Sequence, residues 1–229
     1  MNNIVKNLAA INSEIEAAAK KSGRSPKGIQ VIGVTKTVEP ERIGQLIAAG
    51  VSHLGENRVQ DFLPKYEALE QQNKTPTWHF IGHLQRNKVK FIIDKVSIIH
   101  SVDSISLAQE IDKKAGQAGL KMNVLVEINI AGEDSKFGIT LAEALQFTEK
   151  LANFSNIQVK GLMCIAPFVE NPEHNRPHFN KMCKLLLDIN AKNLHNHILT
   201  ELSMGMSGHY QVAIEEGATM VRIGTALVG

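Results

Sequence analysis

Lys36 follows a run, Ile29-Gln30-Val31-Ile32-Gly33-Val34-Thr35, that is apolar enough to form a buried strand. An amine at such a strand end can condense with a carbonyl to a Schiff base. Partial burial lowers its pKa, and the neutral amine is the nucleophile. The plainer alternative is a lysine snorkelling from a strand end into water, and position alone favours it. Two glycine-bearing stretches bring a second chemistry. Ser207-Gly208 opens a helix after Ser203-Met204-Gly205-Met206, and Gly224-Thr225 follows Met220-Val221-Arg222-Ile223. Phosphate needs converging N–H and hydroxyl donors, with glycines where backbone must approach closely. Either stretch alone reads as an ordinary glycine turn; together they favour a phosphate cradle.

Other polar groups gather at strand ends. Gly55-Glu56-Asn57-Arg58 ends one strand, where Asn57 could bind a ligand or merely cap the next helix. His79-Phe80-Ile81-Gly82-His83 through Lys88 ends another, and His79 fits a hydrogen-bonded core residue as well as a functional one. Glu127 and Asn129 could project into the site or pair with neighbours. His174 and His178 have the spacing of two metal ligands, but Pro177 intervenes and no acidic third ligand is evident, so a solvated helix start is expected. His195 and His197 read as a loop before a strand. Arg86-Asn87-Lys88-Val89-Lys90 reads as an exposed helix face.

The elements that must position these groups alternate along the chain. Eight Val- and Ile-rich runs are expected as strands: 29–34, 52–55, 78–82, 97–101, 124–129, 159–163, 200–204 and 220–224. A first helix is expected over about residues 2–21, with Leu8, Ile11 and Ile15 on one face. Pro40 starts a helix that Gly50 ends. Asp103-Ser104 caps Ile105 through Ala118, with Gly119 as the stop. Thr140-Leu141-Ala142-Glu143 is a capping box before a segment reaching about Leu151. The strand runs are mostly continuous rather than alternating, as expected where both faces are covered. Parallel strands need such helical crossovers. The expected fold is a single α/β domain over 1–229, a (β/α)8 TIM barrel with an extra N-terminal helix; an open doubly wound sheet is the competitor. In a barrel, active groups lie at the carboxyl ends of the strands.

Composition narrows the classes. The 229 residues carry 25 Lys plus Arg against 23 Asp plus Glu, and 43% are hydrophobic. No basic run marks a nucleic-acid binder. No apolar stretch approaches the roughly 20 residues needed to span a bilayer, and no secretion signal is evident. Cys164 and Cys183 are expected as reduced thiols of a cytoplasmic protein.

With those residues assembled, the chain resembles the pyridoxal-phosphate homeostasis proteins, small cytosolic barrels similar to the N-terminal domain of bacterial alanine racemase. The matching strings are Val34-Thr35-Lys36-Thr37, Gly55-Glu56-Asn57, His79-Phe80-Ile81-Gly82, Leu84-Gln85-x-Asn87-Lys88, Gly161-Leu162-Met163, Leu202 to Ser207 and Val221 to Thr225. The resemblance implies that Lys36 carries pyridoxal 5'-phosphate as an aldimine. It also implies that Ser207, Gly208, Gly224 and Thr225 hold the phosphate and that Asn57 and Met204 line the ring pocket. Arg222 is implied as the neighbour of the pyridine nitrogen. Arginine only donates, so that nitrogen would stay unprotonated and the ring would be a poor electron sink. Two departures stand out: His83 where proline is expected, and Gly208-His209 where acidic residues are frequent.

Alanine racemases also carry a further β domain that supplies a catalytic tyrosine across the dimer interface. This chain ends at Gly229 and offers Tyr66 and Tyr210, the latter read as a capping or packing residue. The implied role is intracellular vitamin B6 homeostasis, buffering or delivering the cofactor without robust amino-acid turnover. Pyridoxal-dependent apo-enzymes are the implied partners of a monomer without metal, nucleic acid or membrane. Two alternatives remain at this level. One is a minimal racemase using Tyr210 or His209; the other is a cofactor-free phosphate-sugar isomerase with Glu127 as base.

Overall fold

The computed structural model describes residues 2–133, 136–193 and 198–229; His195 and His197 lie outside the described residues. Helix α1 (Asn2–Lys21) precedes strand β1 (Gln30–Val34), and the two layers then alternate. In order come α2 (Pro40–Ala48), β2 (His53–Glu56), α3 (Val59–Glu70) and β3 (Thr77–Phe80). Next come β4 (Ile98–Val102), α4 (Ile105–Gln117), β5 (Met122–Ile128), α5 (Ala144–Leu151) and β6 (Ile157–Cys164). The chain closes with α6 (Arg176–Ala191), β7 (Glu201–Met206), α7 (Tyr210–Glu215), β8 (Met220–Ile223) and α8 (Thr225–Val228). The strands form a closed barrel in sequence order. Every pairing is parallel, β1 with β8 included. The open-sheet alternative is thereby excluded.

Local chemistry explains where the helices begin and stop. The Ser104 hydroxyl accepts from the Leu107 amide at 3.4 Å, as the capping expectation required. The capping box is reciprocal: the Glu143 amide donates to Thr140 Oγ1 at 3.3 Å, and the Thr140 amide donates to the Glu143 carboxylate at 3.2 Å. Gly50, at φ +104°, turns the chain out of α2 in a conformation that an L side chain resists. One crossover departs from expectation. The basic segment after β3 is a 3-10 helix, Arg86–Phe91, whose Lys88 and Lys90 ammonium groups lie over the Phe91 ring.

Strand alternation sends side chains to two cores. Ile32, Ile98, Leu125, Met163 and Met220 form a small cluster inside the barrel. The larger cluster fills the space between strands and helices, with Leu54, Phe62, Ile99, Ile111, Val124, Phe179 and Val221 among its members. Helix α1 buries Ile4, Ile11 and Ile15 and packs on α7 and α8, so it belongs to the outer wall. β6 and β7 approach so closely that a Cβ on Gly161 would lie 1.8 Å from the Glu201 carbonyl oxygen. Phe62 is sealed between Tyr66 and the edge of Trp78, with ring centroids 5.6 and 5.2 Å away. Phe62→Ala should therefore cost about 3–5 kcal/mol, whereas Ser104→Ala should cost about 1 kcal/mol. Urea denaturation of both variants measures the difference.

Candidate functional site

The carboxyl ends of the strands form one rim, and most of the residues singled out in the sequence meet there. Val34 pairs with Gly55 across β1 and β2, so Lys36 and Asn57, two residues further on, stand at the same level. On the other flank Gly33 pairs with Ile223 of β8, and a Cβ on Gly224 would lie 3.5 Å from Val34 Cβ. Lys36 thus leaves the barrel between Asn57 and Gly224. Its side chain is exposed at the mouth, without the partial burial expected of an activated amine.

The two glycine-bearing loops are tied together. Ser207 Oγ accepts from the Gly224 amide at 3.2 Å and from the Ala226 amide at 3.4 Å. Gly208 and Thr225 are exposed beside them, and nothing lies within 4 Å of a Cβ built on Gly208. The Ser207 hydroxyl, the two amides bonded to it, exposed Thr225 and an open glycine share one corner, and these are the donor types that a phosphate dianion uses. Asn57 Oδ1 is buried without a hydrogen-bond partner among the described residues. It borders a cavity of about 200 Å³ shared with Arg58, His83, Gln85 and Lys88. Gly82 fixes Asn57 from β3's side: a Cβ there would lie 2.2 Å from the Asn57 carbonyl oxygen.

Arg222 points into the barrel below this rim and is 4% exposed. Its guanidinium donates to Ser203 Oγ at 2.6 Å and to the Cys164 carbonyl at 2.8 Å. Burial pulls its pKa down from the usual arginine value. Glu127 on β5 is also buried, and its Oε2 lacks a partner among the described residues. Burial, with some repulsion from Asp103, raises its carboxyl to about 7, while Arg222 opposes the rise. Burial likewise pushes the Cys164 thiol up to about 12, so it is an inert core group.

Met204 does not join the site. It is 0% exposed and packs in the cluster between strands and helices, on the face of β7 opposite Ser203. A side chain with no accessible surface cannot line a ring pocket. Asn129 is a turn-builder: its amide donates to the Glu133 and Lys136 carbonyls, and its oxygen accepts from the Gly132 amide. Tyr210 is buried with its hydroxyl on Glu14 of α1, in the outer wall. His209 is buried too, accepting from the Met206 amide at 3.3 Å and lying against Phe179. Neither presents an acid or base at the mouth. His83 stacks on Phe137, centroids 3.8 Å apart, which gives the first sequence departure a packing role.

Two networks under the rim escaped the sequence reading. Outside the barrel, Lys65 of α3 donates to Glu56 at 2.7 Å and to the Thr35 carbonyl at 2.6 Å, while Thr35 Oγ1 donates to the same carboxylate at 2.6 Å. This buried ion pair clamps the residue preceding Lys36 to strand β2 and helix α3. Its available signal was a lysine on the buried face of α3, in register with Val59, Phe62 and Leu69. Inside the barrel, three histidines link to Ser203, from strands too far apart in sequence to be associated.

A family model described as "Alanine racemase, N-terminal domain" matches residues 7–229. A "Pyridoxal phosphate homeostasis protein" of Aquifex aeolicus is 43% identical over 227 residues, covering 99% of this chain and 98% of that one. The chain belongs to the pyridoxal phosphate homeostasis protein family. The Escherichia coli protein of that name is 37% identical over 230 residues, covering 100% of this chain and 97% of the other. Among solved structures, PipY of Synechococcus elongatus with PLP bound superposes with a TM-score of 0.86 at 32% identity, covering 99% of this chain and 100% of that one. An alanine racemase of Clostridium difficile shares the fold at a TM-score of 0.75 and 19% identity; it covers 99% of this chain but 56% of that one. Among the described residues no helix is long and apolar enough to cross a membrane.

Glu127 makes a pH prediction. Its folded-state pKa of about 7 exceeds the ordinary 4.5, so the native state holds a proton that the unfolded chain has lost. Its contribution to stability is complete below about pH 4.5 and is lost as pH rises through about 7. Urea midpoints at pH 4.5 and pH 8 should differ less in Glu127→Gln than in the parent. An unchanged difference would contradict the shift.

Proposed function

We propose that this chain binds pyridoxal 5'-phosphate reversibly at the strand-end rim and acts in vitamin B6 homeostasis, holding the cofactor and releasing it to pyridoxal-dependent apo-enzymes in the cytoplasm. The observation that carries this reading is the convergence on one rim of an amine, a phosphate-type donor corner and a buried guanidinium. The PLP-bound relative of the same fold and family supports it.

The residues fit the group. When bound, pyridoxal 5'-phosphate supplies an aldehyde, a phosphate dianion and a ring nitrogen of adjustable basicity. Lys36 offers the amine for the aldehyde, and its exposure at the mouth suits loading and unloading. Ser207, Gly208, Gly224 and Thr225 offer the phosphate donors. Asn57 offers an unpaired buried oxygen to a donor on the ring. Arg222 offers only N–H groups, so it leaves a ring nitrogen as an acceptor without a proton. A neutral ring withdraws electrons weakly from a carbanion.

The two groups that a minimal racemase would use as acid and base are held by other contacts. Tyr210 is committed to Glu14, and His209 to the Met206 amide and the Phe179 ring. The reading is therefore a carrier rather than a racemase.

Incubation with pyridoxal 5'-phosphate followed by borohydride should add the reduced cofactor's mass to the peptide containing Lys36. No such addition should occur in Lys36→Ala. An adduct that persists on the variant, or forms elsewhere in the parent, contradicts the assignment. Ser207→Ala should weaken binding of pyridoxal 5'-phosphate by about 1–3 kcal/mol while leaving unphosphorylated pyridoxal nearly unaffected. Titrations with the two ligands measure the split.

A further inference from the structure

A hydrogen-bonded chain crosses the barrel interior beneath the rim. It begins at Arg222, which donates to Ser203 Oγ at 2.6 Å. Ser203 Oγ lies 2.9 Å from His100 Nδ1, and His100 Nε2 lies 2.9 Å from His79 Nδ1. His79 Nε2 lies 3.0 Å from His53 Nδ1, and His53 Nε2 lies 2.8 Å from the Gln30 side-chain amide. The chain thus joins β8, β7, β4, β3, β2 and β1. Its far end borders a groove of about 680 Å³ at the opposite rim, lined by Gln30, His53, Glu201 and Thr219.

All three rings are held neutral. Burial lowers the pKa of His53, and burial with repulsion from His53 takes His79 down to about 3. His100 lies well below the ordinary value, through burial, His79 and Arg222. A neutral imidazole has one donor and one acceptor nitrogen, so each link allows one of two directions and all links must agree.

We propose that Arg222 sets the direction of the whole chain, and that Ser203 and His100 in return position its guanidinium toward the rim. Arginine has no acceptor and keeps its protons, so Ser203 must accept from it. The serine proton is then free to go to His100 Nδ1, which makes His100 Nε2 the donor to His79 Nδ1. His79 Nε2 donates in turn to His53 Nδ1, and His53 Nε2 donates to Gln30. All three histidines carry their proton on Nε2. Gln30 must then present its amide oxygen, a half-turn of the carboxamide from its orientation in the structure, because two N–H groups cannot bond each other. The opposite direction suits Gln30 as it stands. It would require Ser203 to accept from both neighbours, leaving a buried O–H proton without an acceptor among the described residues. Between these two ends, the buried charged one prevails, since Gln30 is only half-buried and can turn.

Protons cannot pass through such a chain to the site, because it terminates on a group that never gives one up. It acts as a rigid polar strut. With Ser203 Oγ and the Cys164 carbonyl fixed, the remaining N–H groups of Arg222 have one orientation. That these N–H groups serve the cofactor's ring nitrogen rests on the function proposed above; the tautomers do not.

Long-range nitrogen–proton correlation spectra of the histidine-labelled protein without cofactor test the direction. His53, His79 and His100 should each show a protonated Nε2 and a bare Nδ1. A proton on Nδ1 of His79 or His100 overturns the proposal. In the cofactor-loaded protein, Ser203→Ala should speed release of pyridoxal 5'-phosphate about tenfold. It should leave release of the analogue with carbon in place of the ring nitrogen unchanged, and Ser203→Thr should restore the parent rate. Equal acceleration for both ligands would overturn the positioning role. Failure of the parent to bind pyridoxal 5'-phosphate would instead overturn the proposed function, with the spectra still deciding the tautomers.

Discussion

A guanidinium buried inside a barrel is the constraint around which this molecule is arranged. Removing such a charge from water is costly unless its N–H groups are bonded. Arg222 is bonded to a hydroxyl and a peptide carbonyl rather than to a carboxylate, so β6 and β7 must offer Cys164 O and Ser203 Oγ at fixed places. Strand β8 therefore has one register in which the charge is satisfied, and that register sets Gly224 against Val34 and the donor corner beside Lys36. Glu127 feels the same charge across the interior, which holds its pKa lower than burial and Asp103 alone would.

The polar groups divide their work by side of the barrel wall. Outside, Thr35, Glu56 and Lys65 lock the end of β1 against β2 and α3, so Lys36 is mounted on a rigid base although its own side chain is free. Inside, the histidines fill space that apolar side chains occupy nearer Ile32, Leu125 and Met220. The histidine chain is bonded at each link from Ser203 to Gln30, which favours a single arrangement, while Glu127 Oε2 stays without a partner among the described residues. On the rim, Asn57 Oδ1 has no protein partner among the described residues, and the corner at Gly208 is open. Rigid support beneath an accessible mouth is what a site that takes up and gives back a ligand requires.

Much of the fold was legible because a parallel barrel repeats one simple pattern. α1 was read over its observed span, and the caps at Ser104 and Thr140 act as their residue types dictate. The ends of β5 and β6 were less clear. Both begin two residues before their apolar runs, since half-exposed Asn123 and Gln158 sit within the paired strands. Pro64 sits inside α3 and obscures its spacing. The rim residues Lys36, Asn57, Ser207 and Gly224 could be singled out because strand ends are where barrels place chemistry. Met204 could not be sorted by the same rule: one residue along a strand reverses the face, and only the structure fixes that parity. The histidine chain was out of reach for a related reason. His53, His79 and His100 come from three strands whose relative heights depend on register.

The most direct measurement is the nitrogen chemical shift of the ring nitrogen in pyridoxal 5'-phosphate labelled at that atom and bound to the protein. A donor-only arginine beneath the rim predicts an unprotonated, hydrogen-bonded nitrogen across neutral pH. A pyridinium shift, showing a proton resident on the ring, would contradict the account.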